Sequence, residues 1–220
     1  MRLIFATNNI HKMSEIRDIL GDKYKNILYS MSNLDIHIEP EETGNSFVEN
    51  SNIKANALYQ VLKAKGMLKE DDFIIADDTG LCIDFLDGAP GIMSARYMGK
   101  ETSQDDKNSK ILELMKDIKD DERTAYFITN LSVIEVLISI VNEPKRLNFE
   151  GRINGYIAKT IEKKEGFGYD PIFAVGDPGD IARGSVKTYS NIGVKEKNKI
   201  SHRAIALNKF VQYLENNHNI

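Results

Sequence analysis

The chain has 220 residues, 41% of them hydrophobic and 28% charged, and its formal net charge is −4. This length and composition predict a substantial core, in one large domain or two small lobes. The acidic excess argues against a nucleic-acid or anionic-membrane binder, because both normally carry a basic excess. The single cysteine, Cys82, excludes an intrachain disulfide and fits a reducing compartment. Without a signal peptide or a membrane-length apolar run, the sequence predicts a cytoplasmic protein.

The predicted secondary-structure elements alternate between strands and helices along the chain. The clearest helix carries a capping box, Ser46 with Glu49 three residues later, and ends at Gly66. Interspersed strands and helices favour an α/β fold with a mixed sheet. In chain order the predicted elements are strand 2–6, loop 7–12, helix 13–20, helix 45–66, strand 72–78, loop 86–97, helix 103–118, strand 123–141, strand or hairpin 146–158, strand 171–175, loop 175–193 and helix 201–217.

The first candidate site is the loop "TNNIHK", which lies between the first strand and the first helix. A polar loop before a helix N-terminus presents backbone N–H groups and the helix dipole to an anion. The loop lacks the glycines and the Gly-Lys-Ser/Thr ending of a P-loop. An ordinary strand-to-helix connection is an adequate alternative. The candidate residues of the loop are Thr7, Asn8, Asn9, Ile10, His11 and Lys12.

Three further candidates carry charge near predicted helix starts and strand ends. Lys54 is either a phosphate ligand or a lysine whose ammonium extends from the helix flank to water. Glu42, just before the helix at 45–66, either favours the helix N-terminus or binds a hard cation. Asp77 and Asp78 are placed at the predicted end of the buried strand "DFIIADD", where open α/β sheets bind ligands. Only one of the two is expected to face a given site, and solvated turn aspartates are the alternative.

Two late segments offer groups suited to a flat heterocycle. In "GFGYDP", Phe167 or Tyr169 is available to stack on a ring and Asp170 to accept from ring N–H groups; a turn that fills the core is the alternative. In "KNKISHR", cationic donors precede the last helix, although a Ser201 N-cap explains that segment equally well. Phosphate donors, a divalent-metal site and an aromatic pocket together indicate a nucleotide site.

The set of motifs resembles the inosine-triphosphate pyrophosphatase family, the RdgB-like enzymes that clear non-standard purine nucleotides. Seven blocks occur in the family's order: "TNNIHK", "EETGNSFVENSNIKA", "IADDTGL", "GAPGIMSARY", "EGRINGYI", "GFGYDPIF" and "EKNKISHR". The resemblance implies one domain over residues 1–220, an elongated two-lobed α/β fold with a central mixed sheet and an active-site cleft between the lobes, and a homodimer. It also implies Mg²⁺-dependent hydrolysis of ITP, dITP and XTP to the monophosphate and pyrophosphate.

The resemblance also implies roles for individual residues. Lys54 and the loop 7–12 would hold the triphosphate, and Glu42 and Asp78 would bind Mg²⁺. Asp78 would also accept a proton during catalysis, and the neighbouring Asp77 would be a further catalytic residue. Two adjacent carboxylates at the end of a buried strand repel each other, and we expect Mg²⁺, with the triphosphate, to compensate their charges. The remaining substrate-binding residues would be Thr79, where many members have Ser, and, around the purine, Phe167, Gly168, Tyr169, Asp170, Lys197, His202 and Arg203.

Three departures from the family pattern and two other functions complete the predictions. Ala204 replaces a common Gly, the segment 176–193 is longer than expected, and the strand at 131–141 is unusually aliphatic.

A non-catalytic nucleotide sensor would use the same pocket without hydrolysis. A phosphoacceptor receiver domain would explain the aspartate pair alone, but it would leave the purine motifs without a purpose.

Overall fold

A computed structural model describes residues 1–137, 143–162, 165–176 and 187–218. The strands are β1 Arg2–Phe5, β2 Leu28–Ser30, β3 Asp72–Ile83, β4 Thr124–Glu135, β5 Lys145–Ile157, β6 Phe173–Val175 and β7 Lys187–Thr188. The α-helices are α1 Ile10–Leu20, α2 Phe47–Ala64, α3 Gln104–Leu114, α4 Tyr189–Ile192, α5 Val194–Ile200 and α6 His202–Asn217. Short 3-10 helices span Lys25–Ile27, Ser32–Leu34, Asp84–Leu86, Gly91–Arg96 and Asp120–Glu122.

The strands form one mixed sheet in the order β2-β1-β3-β4-β5-β6-β7. Strand β1 is parallel to both β2 and β3, whereas β6 is antiparallel to both β5 and β7. Parallel neighbours need crossover connections, and α1 and α2 lie in the connections that follow β1 and β2. The predicted α/β class with a mixed sheet is confirmed.

The chain divides into two compact units, each assembled from several segments. The first unit comprises residues 1–78, 129–151 and 203–220. Its sheet is covered on both faces, because alternate strand residues enter two different hydrophobic clusters. Phe73 and Ile75 pack with residues of α1 and α6, whereas Ile74 and Ala76 pack with residues of α2.

The second unit comprises residues 79–128 and 152–202 and has a hydrophobic core of its own. Arg123 is 2% exposed within this unit. It donates to the carbonyls of Ile157 and Ala158, at 2.8 Å in each case, and to the carbonyl of Met115. A buried guanidinium that satisfies several chain carbonyls joins those segments into one packed unit.

Several element predictions need correction. β3 does not end at residue 78 but continues to Ile83, because Leu81, Cys82 and Ile83 are apolar residues that stay buried in the sheet. Helix α1 begins at Ile10 rather than at residue 13, after an Asn9 N-cap. The short strand β2 was not predicted. The end of the predicted strand 123–141 and most of the predicted loop 175–193 lie outside the described residues.

Candidate active site

Strand alternation directs the two adjacent aspartates to opposite faces of the sheet. Asp77 has the parity of Ile75, on the face covered by α1 and α6, and Asp78 has the parity of Ala76, on the face covered by α2. Both residues are buried, at 4% and 7% exposure. Each carboxylate therefore meets the side chains of different helices.

Asp77 lies between two cations in the first unit. Its Oδ2 is 2.9 Å from Lys12 Nζ of α1 and 3.2 Å from Arg203 Nη2 of α6. Arg203 is 2% exposed and its other terminal nitrogen, Nη1, contacts Glu15 of α1. The four side chains form a network of alternating charge, in which only Lys12 is partly exposed.

Asp78 shares a cation with Glu42 on the other face. Lys54 Nζ of α2 is 2.9 Å from Asp78 Oδ1 and 3.0 Å from Glu42 Oε1. Only 14% of the Lys54 side chain is exposed, so its ammonium does not extend into water as the alternative interpretation required. Asp78 Oδ2 is buried and has no hydrogen-bond partner within the described part of the chain.

The two surroundings shift the aspartate pKa values in opposite directions. Burial alone would raise the pKa of Asp77, but Lys12, Arg203 and Lys54 together hold it far below its usual range. Burial raises the pKa of Asp78, and the nearby Lys54 offsets this only in part. Neighbouring carboxyl groups with separated pKa values are the usual sign of divided acid–base roles.

The cations also respond to burial. Burial would lower the pKa of Lys54, but Asp78, Asp77 and Glu42 raise it above its usual value, so this lysine stays protonated. Burial lowers the pKa of Lys12, and the charge of Asp77 only partly opposes that shift.

The loop at residues 7–12 is less open to an anion than predicted. Asn9 Oδ1 accepts from the N–H groups of His11 and Lys12, at 3.0 and 3.1 Å, and Thr7 Oγ1 accepts from Asn9 N at 3.1 Å. These three backbone donors are engaged within the loop itself. In this structure the loop's own side chains cap the helix with these donors, so the binding of an anion by the loop stays a prediction. The positive charge of Lys12 remains.

The other predicted residues of this region occupy varied environments. Asn8 accepts from Ser32 Oγ at 3.0 Å, and Ile10 is 75% exposed. Thr79, the first residue of the second unit, is half-buried within β3.

The segment "GFGYDP" of the second unit is held by its own aspartate. Asp170 is 2% exposed; its Oδ2 accepts from Phe167 N at 2.9 Å and is 2.7 Å from Lys197 Nζ. The same ammonium lies 4.6 Å from the centre of the Phe167 ring. Phe167 itself is half-buried, so part of the residue remains accessible to solvent.

Tyr169 does not suit the predicted stacking role. It is 5% exposed within the core of the second unit, and its hydroxyl donates to the carbonyl of Ser94 at 2.9 Å. Its ring packs in the core, as the alternative interpretation of this turn required. Asn108 of α3 donates to the carbonyl of Gly168 at 3.1 Å, which adds a second anchor to the turn.

His202 is buried against aromatic rings of the second unit. Its ring is nearly parallel to that of Phe127, with centroids 4.6 Å apart, and it lies 6.5 Å from Tyr189. Ser201, which directly precedes α6, is buried together with His202 and Arg203, all at most 3% exposed, so this end of the segment is not solvated.

Glu42 and Asp78 fit a hard divalent cation. Both offer carboxylate oxygens, they share one ammonium, and one Asp78 oxygen is buried with no hydrogen-bond partner among the described residues. Among the described residues no group of three or more His, Cys, Asp and Glu side chains is arranged around a metal position. Two carboxylates suit a cation that takes its other ligands from phosphate and water.

Glu15 belongs to this site but was not predicted. It is 5% exposed on α1, one turn after Lys12, and contacts Arg203. The signal was available in the sequence, because Glu15 stands between the apolar residues Met13 and Ile16 in a helical segment. Because acidic helix residues are normally exposed to solvent, Glu15 was not selected as a site residue from the sequence.

Comparison with known proteins identifies the family. The Ham1 family model matches residues 3–213. The chain belongs to the Ham1 family. It is 42% identical over 215 residues to a protein of Clostridium perfringens named dITP/XTP pyrophosphatase, with 97% of each chain covered. Solved Ham1 proteins from Staphylococcus aureus and Coxiella burnetii are 30% and 32% identical and each has a TM-score of 0.76; each comparison covers 98% of this chain and 99% of the other.

Ham1 membership confirms the resemblance drawn from the seven sequence blocks, which all lie within the matched residues. In the described part of the chain, no helix combines the length and the apolar composition needed to cross a membrane.

Proposed function

We propose that this chain hydrolyses non-standard purine nucleoside triphosphates, namely ITP, dITP and XTP, to the monophosphate and pyrophosphate. The family membership and the names of the relatives support this activity. The observation that carries it is Asp78. Its carboxyl group is buried and has a raised pKa, its Oδ2 has no hydrogen-bond partner in the part of the chain that the structure describes, and it shares Lys54 with Glu42. A carboxyl group in this state is suited to accept a proton from water.

In the proposed mechanism Lys12 and Lys54 hold the triphosphate, together with polar side chains of the loop at residues 7–12. Glu42 and Asp78 would hold Mg²⁺, which would withdraw charge from the phosphate oxygens. Asp78 takes a proton from the water that attacks the α-phosphorus. The bond between the α-phosphorus and its bridging oxygen breaks, and pyrophosphate leaves.

Asp77 has a different role in this proposal. Its pKa lies far below the usual range, so it cannot serve as a proton acceptor near neutral pH. Because it contacts both Lys12 and Arg203, we propose that it holds these two cations in position.

Recognition of the purine is assigned to the residues that the family motifs indicate. Phe167 stacks on the ring, and Thr79, Gly168, Lys197, His202 and Arg203 complete the substrate contacts; Tyr169 and Asp170 act by holding the turn. A donor-lined edge accepts the 6-oxo group of hypoxanthine or xanthine, whereas the 6-amino group of adenine leaves two donors facing each other.

We further propose that residues 1–220 form one catalytic domain that acts as a cytoplasmic homodimer, with the nucleotide as its substrate and with no nucleic-acid or membrane partner. The near-neutral charge balance and the family resemblance support these assignments.

The test is a panel of ITP, dITP, XTP, GTP and ATP assayed for pyrophosphate release with Mg²⁺ and with EDTA. We expect release from the first three with Mg²⁺ and loss of release with EDTA. Nucleotide binding without release would indicate the sensor. Labelling of an aspartate by acetyl phosphate would indicate the receiver domain.

A further inference from the structure

We propose that Asn50 is a positioning residue, which fixes the segment that carries Glu42 and thereby sets the divalent-cation site; this inference rests on the proposed function. Asn50 lies in the first turn of α2 and is 0% exposed. Its Oδ1 accepts from the backbone N–H of Gly44 at 2.9 Å. The amide therefore ties the helix to a residue two positions after Glu42.

Stability alone does not explain an asparagine at this position. Asn50 Nδ2 is buried and has no hydrogen-bond partner among the described residues. A buried donor without an acceptor is destabilising, so an apolar side chain would serve a purely structural purpose better. An apolar residue at position 50 would, however, lose the hydrogen bond from the Gly44 N–H.

Gly44 is packed too closely to accept any side chain. A Cβ atom there would lie 2.6 Å from Glu49 Cβ, 2.7 Å from Asn50 Oδ1 and 3.0 Å from Asn50 N. The two contacts under 3.0 Å, with Glu49 Cβ and Asn50 Oδ1, would force these neighbours to move, and the helix backbone at Asn50 N, 3.0 Å away, leaves little room for that. Glycine is therefore required at position 44 because the backbone passes close to the helix, and not because of a special backbone angle.

The start of α2 binds the same segment at two further points. Asn45 N donates to Glu49 Oε2 at 2.6 Å, directly after the Gly44 contact. Lys54, one turn beyond Asn50, lies 3.0 Å from Glu42 Oε1. The helix thus fixes both the backbone after Glu42 and the carboxylate of Glu42. Residues that orient a metal ligand in this way affect cation affinity without touching the cation.

The test measures cation binding directly. Mn²⁺ binding is titrated by electron paramagnetic resonance in the presence of an α,β-imido analogue of ITP. We expect Asn50→Ala and Gly44→Ala each to weaken Mn²⁺ binding by about 10- to 100-fold. Asn56→Ala is the matched control, because Asn56 is an exposed asparagine of the same helix whose Oδ1 accepts from the exposed Arg146. This variant should bind Mn²⁺ like the wild type.

A double-mutant cycle separates positioning from general damage. If Asn50 acts through Glu42, Asn50→Ala should weaken Mn²⁺ binding little further once Glu42→Gln is present. Unchanged Mn²⁺ affinity in Asn50→Ala, or full additivity with Glu42→Gln, would overturn the inference.

A measurement on the wild-type protein covers the case in which the variants do not fold. The Gly44 amide should exchange with solvent at least about 10-fold more slowly than in an unstructured peptide, because Asn50 protects it. Exchange at the peptide rate would overturn the inference. Failure of the wild type to release pyrophosphate from ITP would instead refute the proposed function, and the Mn²⁺ and exchange results would still report on Asn50.

Discussion

Neutralisation of each adjacent aspartate in turn separates catalysis from stability. Asp78→Asn and Asp77→Asn are the same nearly isosteric change at neighbouring positions of one strand. Asp78→Asn removes the carboxylate that we assign to the metal and to the water proton. Loss of such a group lowers kcat by at least about 100-fold. Asp77→Asn instead removes the partner of two cations, Lys12 and Arg203.

The expected stabilities follow from the two pKa shifts. Burial raises the pKa of Asp78 in the folded protein, so its ionised form costs stability at neutral pH, and a neutral side chain is tolerated. The pKa of Asp77 is lowered, so its ionised form stabilises the fold at neutral pH. Breaking its buried pairs should cost about 3 kcal/mol. In a chain of this size that loss lowers Tm by roughly 6 to 12 °C.

Two measurements check this pair of variants: pyrophosphate release from ITP at saturating Mg²⁺, and thermal unfolding without metal or nucleotide. Asp78→Asn should be inactive with a Tm near that of the wild type. If its kcat stays within a few-fold of the wild type, the catalytic assignment of Asp78 is wrong. If Asp77→Asn unfolds at the wild-type temperature, Asp77 does not anchor the two cations.

Three further predictions concern phosphate, base and core. Lys12→Ala and Lys54→Ala should each lower kcat/KM for ITP, because each removes a charge-assisted phosphate contact; normal values in both would place the triphosphate elsewhere. Phe167→Ala should lower kcat/KM for ITP and ATP by similar factors, since stacking does not depend on the 6-substituent; a changed ratio would contradict a stacking role. Arg123→Met should cost at least about 3 kcal/mol in urea unfolding by leaving buried carbonyls unpaired, with kcat per folded molecule unchanged; equal stability would show that those carbonyls find other partners.

Local sequence signals predicted the elements that depend on local physics. The helix at residues 45–66 is observed as Phe47–Ala64, with Ser46 Oγ accepting from Glu49 N at 3.1 Å. Capping and apolar periodicity act within one or two turns, so a single sequence displays them. The ordered motif blocks likewise indicated the family and its α/β class.

Tertiary contacts decided what the sequence did not show. The burial of Tyr169 depends on Ser94, 75 residues away, and the burial of Glu15 depends on Arg203, 188 residues away. Neither of these distant partners can be predicted from the residues next to Tyr169 or Glu15 in the sequence. For the loop at residues 7–12, the sequence prediction treated Asn9 as a ligand donor, whereas its side chain accepts from N–H groups at the start of α1.

The tolerance of Asp77 and Asp78 shows how strand geometry divides chemical roles between neighbours. The sequence predicted that Mg²⁺ and the triphosphate compensate both charges. In the structure, protein cations already lie beside each carboxylate, Lys12 and Arg203 on one face of the sheet and Lys54 on the other. Alternation places the direct contacts of the two carboxylates on opposite faces. Asp77 is held firmly ionised, with Lys54 contributing from the other face, while Asp78 has a raised pKa. Because protein cations already lie beside both carboxylates, we expect the Mg²⁺ of the proposed mechanism to be needed for catalysis and not for folding.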